Sequence, residues 1–532
     1  MTLDLPNRVA ENIAHFTGRA WLLEPVLDWL ENSSRRLFIL TGEPGAGKSM
    51  IAAWLAGEGP IPREAEQRGS LVRIRAAAKG AHFCEAASGK TAPKALAKSL
   101  AEQLQDTVPS FRRALTEAIK GRIQITVRQD IGTIESGGKA IAVNIENLNM
   151  ARMSDELSFN TLLREPLQEL YRSGYGETLL LVIDALDEAL TYSGNPKIPD
   201  LLARLEDMPP RVRFLVTVRH DPRVLKLFPT THPVDVIKDA PKHRDDVQDF
   251  TWDGLTGLDE GPRSMLADRI TKASEGNFLY AHLVLRSLRP RLAEVLDLEQ
   301  LLLPNDLNGV YLDFLNRELG MNEARWNTKY GPVLGLIAVG QGDGLLYKHL
   351  KRFARKDVAS ALRDCKQYLD GDLPDGPFRP FHRSFADFLL DKRVNIHYPI
   401  DGATMHAKIV KDYCPVSGCG GAWTNWDYYG VRYLATHLAQ AALNSGNGNG
   451  HLYAERLVRL MVNDDFQAYH LSVVDDVAAL QSDMEQALRT AAADPDPRSL
   501  TLVVEMALAL VEFRRRRLQP EPIFELAREG KL

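Results

Sequence analysis

The residues whose types and spacing could do chemistry begin with Gly42-Glu43-Pro44-Gly45-Ala46-Gly47-Lys48-Ser49, a match to the phosphate-loop pattern G-x-x-x-x-G-K-[ST]. Gly42, Gly45 and Gly47 permit the tight bend and close approach that aim several backbone N–H groups at one phosphate chain. Lys48 adds a point charge and Ser49 a hydroxyl for Mg2+, and the helix expected after the loop brings the positive end of its dipole to the same place. A second group is Asp184-Ala185-Leu186-Asp187-Glu188-Ala189, which follows the apolar run Thr178 to Ile183. A carboxylate at the carboxyl end of a buried parallel strand beside the loop is placed to hold Mg2+ on a nucleotide, and Asp184 has that position. Asp187 or Glu188 would then orient the attacking water. A third run, Phe214 to Val218, delivers Arg219-His220-Asp221-Pro222 to the same edge.

Positioning these groups takes a strand before the loop and a helix after it. Leu37-Phe38-Ile39-Leu40 and Met50 to Ala56 read as those two elements. Ala78 to Cys84 reads as a further strand, Leu96, Leu100 and Leu104 as one helix face, residues 161–176 as helix and Val234 to Ile237 as a last strand. Alternating strands and helices predict α/β, a doubly wound phosphate-loop sheet over residues 37–237. Residues 1–36 form a helical lead-in containing Phe16-Thr17-Gly18-Arg19. Between 121 and 150 the apolar period changes to two around Ser136-Gly137-Gly138, predicting a β-hairpin insertion. After 237 the pattern is helical. Residues 238–325 form a helical domain. Residues 326–395 give three helices closed by Phe378-Arg379-Pro380-Phe381, the size and order of a winged helix. Residues 396–532 form a C-terminal helical region with a flexible connector at Ser445 to Gly450.

Composition narrows the function classes. The 532 residues are 45% hydrophobic and 25% charged, with a formal net charge of -5, which gives no general attraction to nucleic acid or acidic membranes. Met1 to Phe16 carries Asp4 and Glu11 and does not read as a secretory signal. The apolar stretch Leu500 to Phe513 is broken by Glu505 and Glu512, so no membrane span is expected and the location expected is cytoplasmic. The basic run Lys348 to Lys356 reads as a solvated helix face, and Arg514 to Arg517 as a complement to a helix dipole. Cys84 and Cys365 sit in core-like runs. Cys414 and Cys419, with His406 upstream, offer half of a metal site at most, and with no second pair they are expected to be free thiols.

In this order the motifs resemble those of the STAND signalling NTPases, NACHT branch, over residues 16–392. Phe16-Thr17-Gly18-Arg19 is similar to the family's lead-in that lies against the nucleotide, Gly42 to Ser49 to its Walker A motif, and Asp184 to Ala189 to its extended Walker B motif. Thr217-Val218-Arg219 resembles the sensor strand whose arginine approaches the γ-phosphate, and Phe381-His382-Arg383-Ser384-Phe385 the winged-helix motif whose histidine holds the β-phosphate of ADP. Where relatives carry G-x-P over the base, this chain has Gly276-Asn277-Phe278, and Ala20 replaces the usual acidic residue after Gly18-Arg19.

The resemblance implies ATP/ADP and Mg2+ as cofactors. It implies nucleotide contacts from Phe16, Thr17, Arg19, Gly42, Pro44, Gly45, Ala46, Gly47, Lys48, Ser49, Met50, Phe278 and His382. Metal contacts would come from Ser49 and Asp184, and catalysis from Lys48, Asp187, Glu188 and Arg219. The function it implies is a slow ATPase acting as a signalling or defence switch. Such a switch is closed with ADP and self-assembles on a trigger plus ATP, with trigger and effector proteins as further partners. The chain is expected to be a compact family member or the switch core of a longer protein. An ATP-driven remodelling motor and a winged-helix DNA-binding regulator are the alternatives.

Overall fold

The computed structural model describes residues 3–516 apart from 86–89, 120–153, 193, 240–242, 289–302, 319–322, 355–357 and 444–449. The hairpin expected at 121–150 and the connector at 445–449 lie outside the described residues. Two compact units are present, one within residues 1–322 and one from Glu323 onward.

The first unit is built on five strands: β1 Leu37–Thr41, β2 Ala78–Phe83, β3 Leu179–Asp184, β4 Val212–Val218 and β5 Val234–Asp235. All pair in parallel, in the order β2-β3-β4-β1-β5. Every residue of β3 and β4 is buried, as a parallel sheet covered on both faces requires. Alternation along β3 shows the two covers. Leu180 and Val182 join the core formed by Val26, Ile51, Leu55 and Leu71 from the helices Leu23–Asn32, Lys48–Ala56 and Ala65–Ala77. Leu181 points the other way, and its side chain and that of Leu100, from the helix Pro93–Thr107, both border Gly80. The expected α/β class and its five strands are therefore present. Among the described residues the sheet is followed in this unit by the helices His243–Gly254, Glu260–Ser274, Phe278–Leu288 and Leu307–Asp313.

From Glu323 the second unit runs through the helical segments Glu323–Arg325, Trp326–Tyr330 and Gly331–Val339 to the helices Tyr347–Ala354 and Val358–Asp364. A short antiparallel pair, β6 Leu369–Asp370 with β7 Arg379–Pro380, and a bridge between Leu345 and Phe378 precede the helix Arg383–Leu390. The remainder is helical, from Gly402–Tyr413 to Ser499–Arg515. Among the described residues no helix is long and apolar enough to cross a membrane.

The free-thiol expectation for Cys414 and Cys419 is corrected here, because the two form a disulfide with their Cα atoms 4.4 Å apart. On a continuing helix a spacing of five would point the two side chains well apart. The helix ends at Tyr413, however, and the chain turns back with Cys419 at φ 58°, which closes the distance. Denatured protein without reductant should therefore titrate two thiols, Cys84 and Cys365, and not four. Replacing both bridged cysteines by serine should lower unfolding stability by about 2 kcal/mol, the loop-closure value for so short a ring, as read from denaturant melts.

Candidate functional site

The phosphate loop joins β1 to the helix Lys48–Ala56, whose N-cap is Gly47 in the left-handed region. Lys48 is buried and donates to the carbonyls of Gly42 at 2.6 Å and Glu43 at 3.0 Å. Burial pushes its ammonium down to about 8, opposed chiefly by Asp187. The lysine thus stands inside the loop, its charge stabilised by the carboxylates of Asp187 and Asp184 at the end of β3.

Those carboxylates arrive from β3. Because β4 lies between β1 and β3, its residues reach both the loop and Asp184. Thr217 of β4 donates its hydroxyl to Asp184 Oδ1, and its Oγ1 accepts from the Ala185 N–H at 2.9 Å. Burial pushes the Asp184 carboxyl up, while hydrogen bonds from Thr217 and Ser49 and the charge of Lys48 pull it down. Ser49 and Asp184 are thus neighbours. A hydroxyl and a carboxylate side by side are a hard-oxygen donor pair that suits Mg2+, which takes few protein ligands and fills the rest with water and phosphate. No cluster of three or more His, Cys, Asp or Glu of the kind a protein-caged metal needs occurs among the described residues.

Asp187 is held by Arg219. It accepts from the Arg219 backbone N–H at 3.1 Å and stands 3.3 Å from Nε of the same residue. Glu188 opens the short 3-10 turn Glu188–Thr191. The sequence reading left these two acids as alternatives for the same role; in the structure Asp187 pairs with Arg219, and Glu188 follows it at the start of the turn.

Arg19 is placed behind the loop. It is 1% exposed, at φ 62°, and donates from Nη1 to the Val236 carbonyl at 2.9 Å and from Nη2 to the Ala46 carbonyl at 2.8 Å. Its guanidinium lies 4.9 Å from the centre of the Phe278 ring, and its backbone N–H donates to Asp246 at 2.9 Å. Burial pushes it down to about 10, with Asp246 opposing, so it stays charged at neutral pH. The Arg19 guanidinium is committed to backbone carbonyls. Phe16 packs against Trp54 at 5.0 Å, while Thr17 and Met50 are half-buried beside the loop's flanks.

Gly276-Asn277-Phe278 meets the loop directly. Asn277 Nδ2 donates to the Pro44 carbonyl at 2.9 Å, and the Leu279 N–H donates to the Gly45 carbonyl at 3.2 Å. Gly45, at φ +86°, has no room for a side chain: a Cβ there would lie 2.5 Å from both Asn277 Oδ1 and Leu279 Cβ. His382 lies in the second unit, where its Nδ1 accepts from the Ser384 N–H at 3.1 Å and caps the helix Arg383–Leu390.

A phosphate loop after β1, an acidic end on β3 two strands away, and a threonine of the intervening β4 bonded to that acid make up one site on one sheet edge. This is the phosphate-loop NTPase fold. The family model "Nephrocystin 3, N-terminal" matches residues 18–133, which include Arg19, the loop and β2. A solved structure, the Walker-type ATPase PABY2304 of Pyrococcus abyssi, is 15% identical with a TM-score of 0.31, covering 70% of this chain and 95% of that one. No curated protein matches the sequence.

Two contributors escaped the sequence reading as site residues: Thr217 and Asn277. For Thr217 a signal existed, since it is the one hydroxyl in the buried run Phe214 to Val218. Asn277 gave none, because its partner Pro44 is 233 residues away. For Arg19 the geometry predicts a stability role. Arg19→Met should lower the unfolding stability of the protein by roughly 2–4 kcal/mol, since two buried carbonyls lose their donors. Arg19→Lys should recover only part, because an ammonium lacks the planar fork. An unchanged denaturation midpoint in Arg19→Met would remove the clamp from this account.

Proposed function

We propose that the chain is an ATP/ADP-operated switch of the STAND type, a slow Mg2+-dependent ATPase that closes with ADP and self-assembles when a trigger and ATP act together. One observation carries this reading. The helical segment after the sheet is bonded to the phosphate loop itself, through Asn277 to Pro44 and Leu279 to Gly45. A change in the loop on exchanging nucleotide therefore reaches the helix Phe278–Leu288 through two hydrogen bonds, with no intermediary. The family match over residues 18–133 and the helical run with a small antiparallel pair, of the kind a winged helix uses, support the same reading. Signalling or defence is the setting the resemblance favours.

In this reading the loop N–H groups and Lys48 bind the phosphates. Ser49 and Asp184 would hold Mg2+, which supplies charge neutralisation on the phosphate oxygens. Thr217 fixes the orientation of Asp184. Asp187 holds Arg219 at the end of β4, and Glu188, which opens the turn that follows, is the acid we assign to orienting the attacking water. A trigger is required on grounds of magnitude. A hydrogen bond to a charged group contributes about 1.5–3 kcal/mol, whereas moving a two-state equilibrium from 1:99 to 99:1 takes about 5.5 kcal/mol.

Two variants test the division of roles. Lys48→Ala should lose nucleotide binding or hydrolysis while its thermal melt stays cooperative, and Glu188→Gln should bind ATP with parent affinity and cleave it at least a hundredfold more slowly. Parent-rate hydrolysis by Lys48→Ala would overturn the reading. Assembly is tested by particle mass with ADP and with a non-hydrolysable ATP analogue: a larger particle with the analogue plus trigger is expected, and one unchanging mass refutes the switch.

His382 tests the closed state. As the proposed latch on the ADP phosphate, its replacement by leucine should quicken ADP release about tenfold to a hundredfold. As a helix cap alone, the same change lowers stability by about 1 kcal/mol and leaves release unchanged. Stopped-flow release of labelled ADP from a folded His382→Leu protein separates the two.

A further inference from the structure

His220, at the end of β4, stands between two carboxylates. Its Nε2 meets Asp235 Oδ2 at 2.5 Å and its Nδ1 meets Glu43 Oε1 at 3.1 Å. Asp235, which closes β5, is the anchored partner. It is 7% exposed, and its second oxygen accepts from the backbone N–H groups of Ile237 and Lys238, both at 2.8 Å. Glu43 is the solvent-facing partner, with its side chain 64% exposed, and it is the second residue of the phosphate loop.

A carboxylate is the wrong charge for that position. The loop gathers backbone N–H groups, the Lys48 ammonium and a helix N-terminus, all suited to a polyphosphate, and Glu43 is the only acid between Gly42 and Ser49. Its charge is felt at Lys48, whose ammonium it stabilises. The chemistry of the histidine contact follows from donor counting. Ionised carboxylates only accept, and a neutral imidazole has a single N–H. Both contacts are therefore made at once only by an imidazolium donating from each nitrogen. The arrangement shares one positive charge between the two carboxylates and points the Glu43 carboxylate toward β5.

We infer that His220 holds the Glu43 carboxylate against Asp235, out of the phosphate cradle, and so sets nucleotide affinity as a positioning residue without touching the bond that breaks. The inference rests on the nucleotide reading above. Without the ring, Glu43 keeps its full negative charge at the mouth of the loop, where it repels the incoming polyphosphate and competes with it for Lys48. The repulsion grows with the charge of the ligand, so ATP suffers more than ADP.

The test is a double-mutant cycle on the full chain, with ATP and ADP as probes. His220→Ala should weaken ATP binding about tenfold and ADP binding less, raising KM with kcat unchanged. In a Glu43→Gln background the same change should move ATP affinity by less than about twofold. The defect of the single variant should shrink at 0.5 M salt, because a repulsion at an exposed site is screened and a packing fault is not. The fold is expected to survive, since Asp235 keeps its two backbone donors, and a thermal melt checks this. A defect of equal size in both backgrounds, or a folded His220→Ala protein with parent affinity, overturns the inference alone. A parent protein that binds neither nucleotide overturns the nucleotide reading and this inference with it.

Discussion

The phosphate loop of this protein keeps its shape because a buried arginine is locked behind it. Taking a guanidinium out of water costs several kcal/mol unless its donors are met, and Arg19 meets that requirement with two backbone carbonyls, one aromatic face and the nearby Asp246 charge. The partners belong to different parts of the first unit: Ala46 to the loop, Val236 to the stretch after β5, Phe278 and Asp246 to the helices beyond the sheet. The local chain is bent to allow it. Gly18 and Arg19 are both left-handed, and the Asp246 carboxyl fills the space where a Gly18 side chain would stand. One interaction therefore fixes the back of the loop and the docking of the helical segment at once.

The front of the loop is arranged by strand order. With β4 between β1 and β3, three parallel strands end along one edge, and each supplies a different function: the loop from β1, the metal-type carboxylate from β3, and Thr217, Arg219 and His220 from β4. β5 closes the other side of β1 with Asp235. Ligands collect at the carboxyl ends of such strands because loops with unpaired N–H groups and converging helix dipoles are exposed there. Side chains at this edge meet one another, Asp187 with Arg219 and Asp235 with His220.

The amino-acid sequence determined the parts of this site that are contiguous. The pattern from Gly42 to Ser49 and the apolar runs ending at Ile183 and Val218 carry their meaning locally, because a buried parallel strand must be apolar throughout and a loop that wraps phosphate must be rich in glycine. The five strands and the α/β class were legible for the same reason. So was the placing of Asp184 beside the loop, next to Ser49, since parallel strands put their carboxyl ends on the same edge.

Tertiary structure alone decided the contacts whose partners are far apart in the chain. Nothing in Phe16-Thr17-Gly18-Arg19 says that the arginine turns toward Ala46 and Val236, 27 and 217 residues away. Nothing in Gly276-Asn277-Phe278 says that an asparagine reaches Pro44. The contact of Asp187 with Arg219, 32 residues away, also needed three dimensions, because nothing local to either residue names the other. The disulfide of Cys414 and Cys419 belongs with these. A five-residue spacing is compatible with parted or joined sulfurs, and the end of a helix at Tyr413, a backbone event set by packing, settles which.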